Sequence, residues 1–144
     1  MPRSPRFDLP DFGAFHVTAR GVAGCSIYAD DADRLRFVRL LHLARERGGW
    51  RLLAYCLMSN HFHLVLLAER EAMSTGMHLL SFRYAQLFNV RHGRRGHLFQ
   101  DRFHAQVVRD DEHLGSACAY VLANAERVGV PAWPWRGGDY STLD

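Results

Sequence analysis

YCLMSNHFHLVLL, residues 55–67, sets two histidines one residue apart inside an otherwise apolar run, directly after a Ser-Asn pair. The flanking segments, WRLLAYCLM (50–58) and HFHLVLL (61–67), are rich in strand formers and bracket Ser59-Asn60, which predicts a β-hairpin with a tight turn. Side chains alternate along a strand, so His61, His63, Val65 and Leu67 share one face while Phe62, Leu64 and Leu66 share the other. The two histidine Cα atoms then stand about 6.6–7 Å apart, close enough for both imidazoles to converge on one metal ion. Polar residues at i and i+2 of a half-exposed sheet often do no more than face water. Two ligands also hold a metal poorly, so a metal reading requires a third.

The rest of the chain limits the alternatives. Its 144 residues, 48% of them hydrophobic, suit one compact domain, with an ordered core over about residues 13–130 and a tail over 131–144. MPRSPRFDLPDFG at the start lacks an apolar signal-peptide core, and no run reaches the length of a membrane helix. Cys25, Cys56 and Cys118 are odd in number and form no CxxC pair, so neither a disulfide framework nor a zinc knuckle is indicated, and a reducing compartment is the plain reading. The eighteen basic residues are all arginine. Between residues 83 and 109 lie Arg83, Arg91, Arg94, Arg95, Arg102 and Arg109 against the single acid Asp101, with His92, His97 and His104 nearby. Guanidinium forks suit phosphate, and such a segment points either to a polyanionic partner or to a solvated helix face.

Working outward from the hairpin, AFHVTAR (14–20) alternates as a strand should, and Gly21 and Gly24 follow it. Asp30-Asp31 precedes a helical pattern through Leu35, Val38, Leu41 and Leu43 that stops at Gly48-Gly49. A second helix fits residues 71–91, with Met77, Leu80, Tyr84, Leu87 and Phe88 on one side. GRRGHLFQDRF (93–103) reads as a basic loop and FHAQVVR (103–109) as a further strand. Asp110-Asp111 can cap a third helix over 112–126. The order of the first six elements is that of a split βαβ, ferredoxin-like α+β fold, an antiparallel sheet with helices on one face, here followed by a C-terminal helix. That plan hosts many functions.

In CAYVLANAER (118–127), Tyr120, Asn124 and Arg127 recur at four and three residues, so an α-helix aligns them on one stripe. They could present a nucleophile, an oxygen ligand and a cation together, or they could be a seam tyrosine beside ordinary surface polars.

Four segments in this order and spacing, HVTARG (16–21), YCLMSNHFHLVL (55–66), RRGHLFQDRF (94–103) and YVLANAERVG (120–129), resemble the single-tyrosine HUH transposases of small insertion sequences, in particular the REP-associated tyrosine transposases. The resemblance runs from about residue 13 to Tyr140. It implies an HUH endonuclease fold in which His61, His63 and Asn124 hold a divalent metal, Mg²⁺ or Mn²⁺, Tyr120 is the nucleophile, and Arg127 steadies the phosphate. It further implies cleavage and rejoining of single-stranded DNA at hairpin-flanked element ends or REP-like palindromes, through a 5′-phosphotyrosine, by a monomer or homodimer in the bacterial cytoplasm, at the nucleoid and not at a membrane. A metal-bound water or His104 could act as base. Arg20, Arg83, Arg91, Arg94, Arg95, His97, Phe99, Arg102 and Phe103 are the nucleic-acid candidates, the two phenylalanines either stacking on bases or packing under the loop. The chain departs from the family pattern twice: Ala125 and then Glu126 stand after Asn124 where Asn-Pro is usual, and Ser59 precedes Asn60 where proline is common. Tyr55, Tyr84 and Tyr140 lack an amide four residues on and are weaker nucleophile candidates.

Three other readings compete. A domesticated, non-catalytic DNA-binding module would not require the His, His, Tyr, Asn set. A plasmid relaxase or rolling-circle initiator would resemble the chain mainly at the histidines. A two-histidine RNA phosphoesterase is suggested by His16-Val17-Thr18 but needs a second His-x-Ser/Thr, which HFHLV does not supply.

Overall fold

Alternating apolar residues on β1 (Phe12–Arg20), β2 (Arg51–Leu57), β3 (His61–Glu69) and β4 (His104–Val108) build one antiparallel sheet, with β5 (Arg136–Gly137) added at its margin in the order β4-β1-β3-β2-β5. The computed structural model describes residues 9–127 and 136–138, with side chains over 9–123 and 136–138. Helices α1 (Asp31–Gly48) and α2 (Arg70–His92) connect the strands, and α3 (Asp111–Arg127) follows β4. The first six elements therefore follow the ferredoxin-like order read from the sequence. β5 falls inside the segment expected to be a plain tail; it pairs Gly137 with Tyr55 and Arg136 with Cys56.

The sheet has two apolar faces. Phe15, Val17, Ala19, Leu52, Tyr55, Leu57, Phe62, Leu64 and Leu66 point toward α1 and α2 and form the main core with Phe37, Leu41, Met73, Met77 and Tyr84. Ala14, Leu53, Ala54, Cys56, Val65 and Val108 point the other way, onto Ala117, Cys118 and Val121 of α3. Strict alternation in β2 is broken by a register shift between Leu52 and Ala54. A bulge there puts both Leu53 and Ala54 on the α3 side, so the run LLAYCL serves both cores.

Local chemistry sets the helix ends. The Asp30 carboxylate accepts from the Asp33 amide at 3.1 Å to cap α1, and Gly49 closes it in the left-handed conformation at φ 67°. The Asp110 carboxylate accepts from the His113 amide at 2.7 Å and so starts α3. Among the described residues no helix is long and apolar enough to cross a membrane.

Asp33 ties α1 to the end of α2. Only 1% exposed, it accepts from the Ala29 amide at 2.8 Å, from Arg91 at 2.7 Å and from His92 at 2.8 Å. Removing a buried acceptor leaves its donors unsatisfied. Asp33→Ala should lower unfolding free energy by about 2–3 kcal/mol, read as a lower urea midpoint at unchanged slope.

Candidate functional site

The face that packs against α3 is not apolar throughout. Where Ala14 and Val65 end the apolar area, β1 turns His16, Thr18 and Arg20 onto this side and β3 turns His61 and His63. Pairing sets the layout. Arg20 stands opposite His61, and Thr18 stands between His63 on β3 and His104 on β4. The tight turn at Ser59-Asn60 closes with the Met58 amide donating to the His61 carbonyl at 2.9 Å, as the hairpin reading expected. The same loop is tied back to the chain after β1, where the Gly21 amide donates to the Asn60 carbonyl at 2.8 Å and the Ile27 amide to Ser59 at 2.9 Å. Gly21 has no substitute here, since a Cβ would lie 2.3 Å from the Cys25 carbonyl oxygen.

Three imidazoles result. The His61 and His63 rings lie 5.0 Å apart, and His16 Nε2 stands 3.0 Å from His63 Nδ1. His61 Nδ1 lies 2.7 Å from Asn60 Oδ1. An amide oxygen only accepts, so the proton of His61 sits on Nδ1 and its Nε2 lone pair is available to a ligand. Burial is the first cause that holds all three rings neutral. It pushes His63 down to about 3, helped by the neighbouring His16 and His61. It also lowers His16, with His113 adding to the effect, and lowers His61, with Arg20 adding. A neutral imidazole is the ligating form.

Helix α3 delivers the tyrosine. Leu114, Ala117, Cys118 and Val121 recur at helical spacing and seat it on the sheet. That seating leaves Tyr120 on the flank, 47% exposed, its ring edge-on to His63 with centroids 5.9 Å apart. The other described tyrosines are not so placed. Tyr84 is buried, donates to the Ile27 carbonyl and has its hydroxyl pKa driven up by burial, while burial raises Tyr55 to about 12. Tyr140 lies outside the described residues. Asn124 and Arg127 belong to α3 one and two turns beyond Tyr120, but their side chains lie outside the described ones.

Among the described residues no group of three His, Cys, Asp or Glu is arranged to hold a metal ion. The described donors are thus the imidazole pair His61 and His63, which fit a divalent ion only if an oxygen ligand completes the set.

The residues expected at nucleic acid divide. Arg20 is exposed on the histidine face, and Arg95, His97 and Arg102 are exposed in the loop before β4. That loop reaches the site because the Gln100 amide donates to the Arg20 carbonyl and the Val22 amide to Leu98, both within 2.9 Å. Others are otherwise engaged. Arg91 pairs with Asp30 at 2.6 Å and Asp33 at 2.7 Å, because the end of α2 abuts the start of α1. Arg94 holds its own loop through Asn89 at 3.1 Å and the His97 carbonyl at 2.9 Å. Arg83 lines a groove between α1 and α2, on the far side of the sheet. Phe103 is a buried core residue, and Phe99 is partly buried against that core, its ring at right angles to that of Phe62 with centroids 6.1 Å apart. His16 is the neighbour that the sequence reading placed in another scheme; its clue was its alternation in register with Thr18 and Arg20.

A profile of the IS200-like transposases matches residues 24–124, a span that includes both hairpin histidines and Tyr120. The chain belongs to the IS200-like transposase family. Among solved structures, that of a REP-associated tyrosine transposase bound to a REP hairpin is similar over 94% of this chain and 82% of that one, with a TM-score of 0.67 and 16% identity. The crystal structure of a Deinococcus radiodurans R1 protein assigned as a transposase is similar over 91% of this transposase and 100% of that chain, with a TM-score of 0.50 and 15% identity. At such identities these likenesses establish the shared fold. No curated protein matches significantly.

The depressed histidines should make the folded transposase acid-sensitive. The unfolded chain takes up protons near pH 6.5 that folded His16, His61 and His63 resist, so stability is full above that value. It falls as pH drops below it, and continues to fall until folded His63 itself titrates at about 3. Urea midpoints measured with chelator present should decline from about pH 7.5 to about pH 5, and His63→Gln should flatten that decline.

Proposed function

We propose that this transposase cleaves and rejoins single-stranded DNA at hairpin-flanked ends through a 5′-phosphotyrosine on Tyr120. The observation that carries this reading is the Tyr120 ring set against His63 within one chain. Membership of the transposase family supplies the reaction class, and the likeness to a transposase bound to a REP hairpin supports a stem-loop substrate.

The roles follow from chemistry. A phenol with a pKa near 10 is a weak nucleophile at neutral pH, and a phosphodiester repels an incoming anion. His61 and His63, with Asn124 as the oxygen ligand, would hold a divalent cation, Mg²⁺ or Mn²⁺, which when bound supplies Lewis-acid polarisation of a non-bridging phosphate oxygen. Tyr120 Oη attacks phosphorus in line, the P–O3′ bond breaks, and the departing oxygen leaves as a 3′-hydroxyl. The phosphodiester is conserved as a tyrosyl ester, so a second 3′-hydroxyl reseals it without ATP. Arg20, opposite His61 in the sheet, would meet the phosphate, and the exposed Arg95, His97 and Arg102 would meet the strand or the stem. Arg127 acts on the same phosphate. The half-exposed ring faces its own chain's His63, which favours a site completed within one subunit.

Two substitutions test the assignment on a labelled oligonucleotide carrying a stem-loop. Tyr120→Phe should abolish the covalent protein–DNA adduct while leaving binding within about twofold; an adduct that survives removes Tyr120 from the role. His61→Ala with His63→Ala should cut metal-dependent cleavage by at least about 100-fold, because outer partners of metal ligands alone typically cost 10–100-fold. A wild-type protein that binds the stem-loop and never cuts it, with any divalent ion, is instead a binding module.

A further inference from the structure

His16 has no part in the scheme above, yet its ring is in direct contact with His63. We propose that His16 is a positioning residue: it fixes the tautomer of His63 so that the Nε2 lone pair faces the site. This rests on the reading of His63 as a metal ligand, and deepens it.

The argument is one of counting protons. His16 Nε2 and His63 Nδ1 lie 3.0 Å apart, a hydrogen-bond distance, so one of the two nitrogens carries the proton. If it sat on His16, His63 would accept at Nδ1 and carry its own proton on Nε2, leaving no lone pair for a metal. If it sits on His63 Nδ1, His16 accepts, and Nε2 of His63 is free to ligate. Only the second arrangement makes the HUH pair a pair of donors. The neighbouring ring supports it, because Asn60 Oδ1 imposes the same Nδ1-protonated form on His61 at 2.7 Å. The two histidines would then present equivalent nitrogens from successive outward positions of one strand. His16 can act so because β1 and β3 pair with Thr18 opposite His63, which puts His16 diagonal to it on the same face. Its ring is half-buried, and an imidazole nitrogen without a proton is an acceptor at that distance.

Nitrogen-15 NMR of the metal-free protein reads the His63 tautomer directly. In the wild type His63 should be protonated on Nδ1. His16→Leu, which keeps bulk and removes the acceptor, should move His63 toward the Nε2-protonated form, and His16→Gln, whose side-chain oxygen can reach the same place, should restore it. Mn²⁺ affinity, measured by electron paramagnetic resonance without DNA, should fall by about 10–100-fold in His16→Leu and recover at least in part in His16→Gln. A wild-type His63 protonated on Nε2, or a His63 tautomer that ignores both substitutions, overturns the assignment. A wild-type chain that shows the Nδ1 proton yet takes up no Mn²⁺ overturns the metal reading instead and leaves the tautomer assignment standing. Amide spectra that keep their dispersion in His16→Gln separate this role from a loss of folding.

Discussion

Thr18 stands opposite His63, and that register between β1 and β3 is the constraint on which the remaining chemistry depends. Strand side chains alternate with a period of two, so a slip of one residue would send His16, Thr18 and Arg20 into the α1–α2 core and bring Val17 and Ala19 to the site. The apolar pattern makes such a slip costly, because Phe15, Val17, Phe62, Leu64 and Leu66 are all fully buried on the opposite face. The layout of the histidine face is therefore held by the core behind it. Burial of five apolar side chains thus orients the three polar ones on the other face of β1.

The same division of labour runs through α3. Its apolar stripe fixes the helix on the sheet at Ala117, Cys118 and Val121, and Tyr120, next to that stripe, is left exposed on the flank. The buried Tyr84, by contrast, is held protonated and sealed from solvent. Packing and exposure are thus separated by one step along a single helix.

Much of this was legible in the chain. Alternation in HFHLVLL and the Ser-Asn turn gave the hairpin and the face shared by His61 and His63. The parts that were not legible depend on contacts between distant segments. Charge counting along residues 83–109 could not tell Arg91, drawn into an ion pair with Asp30 and Asp33, from Arg95, which stays exposed. Nor could it show that Phe103 is a core residue. The bulge at Leu53 breaks a period that a sequence reading assumes, and His16 becomes a neighbour of His63 only through strand pairing across 47 residues.

The short β5 has a consequence for solubility. A strand at the border of a sheet offers unpaired amides and carbonyls as a template for another chain, and β2 is apolar on both sides over most of its length. Two residues, Arg136 and Gly137, occupy that border at Cys56 and Tyr55, and Arg136 is anchored in turn by donating to the Leu122 carbonyl at 3.1 Å. The opposite border is β4, five residues long with Gln106 exposed at its middle. One border of the sheet is thus covered at Tyr55 and Cys56 and the other kept brief, both of which oppose strand-to-strand self-association.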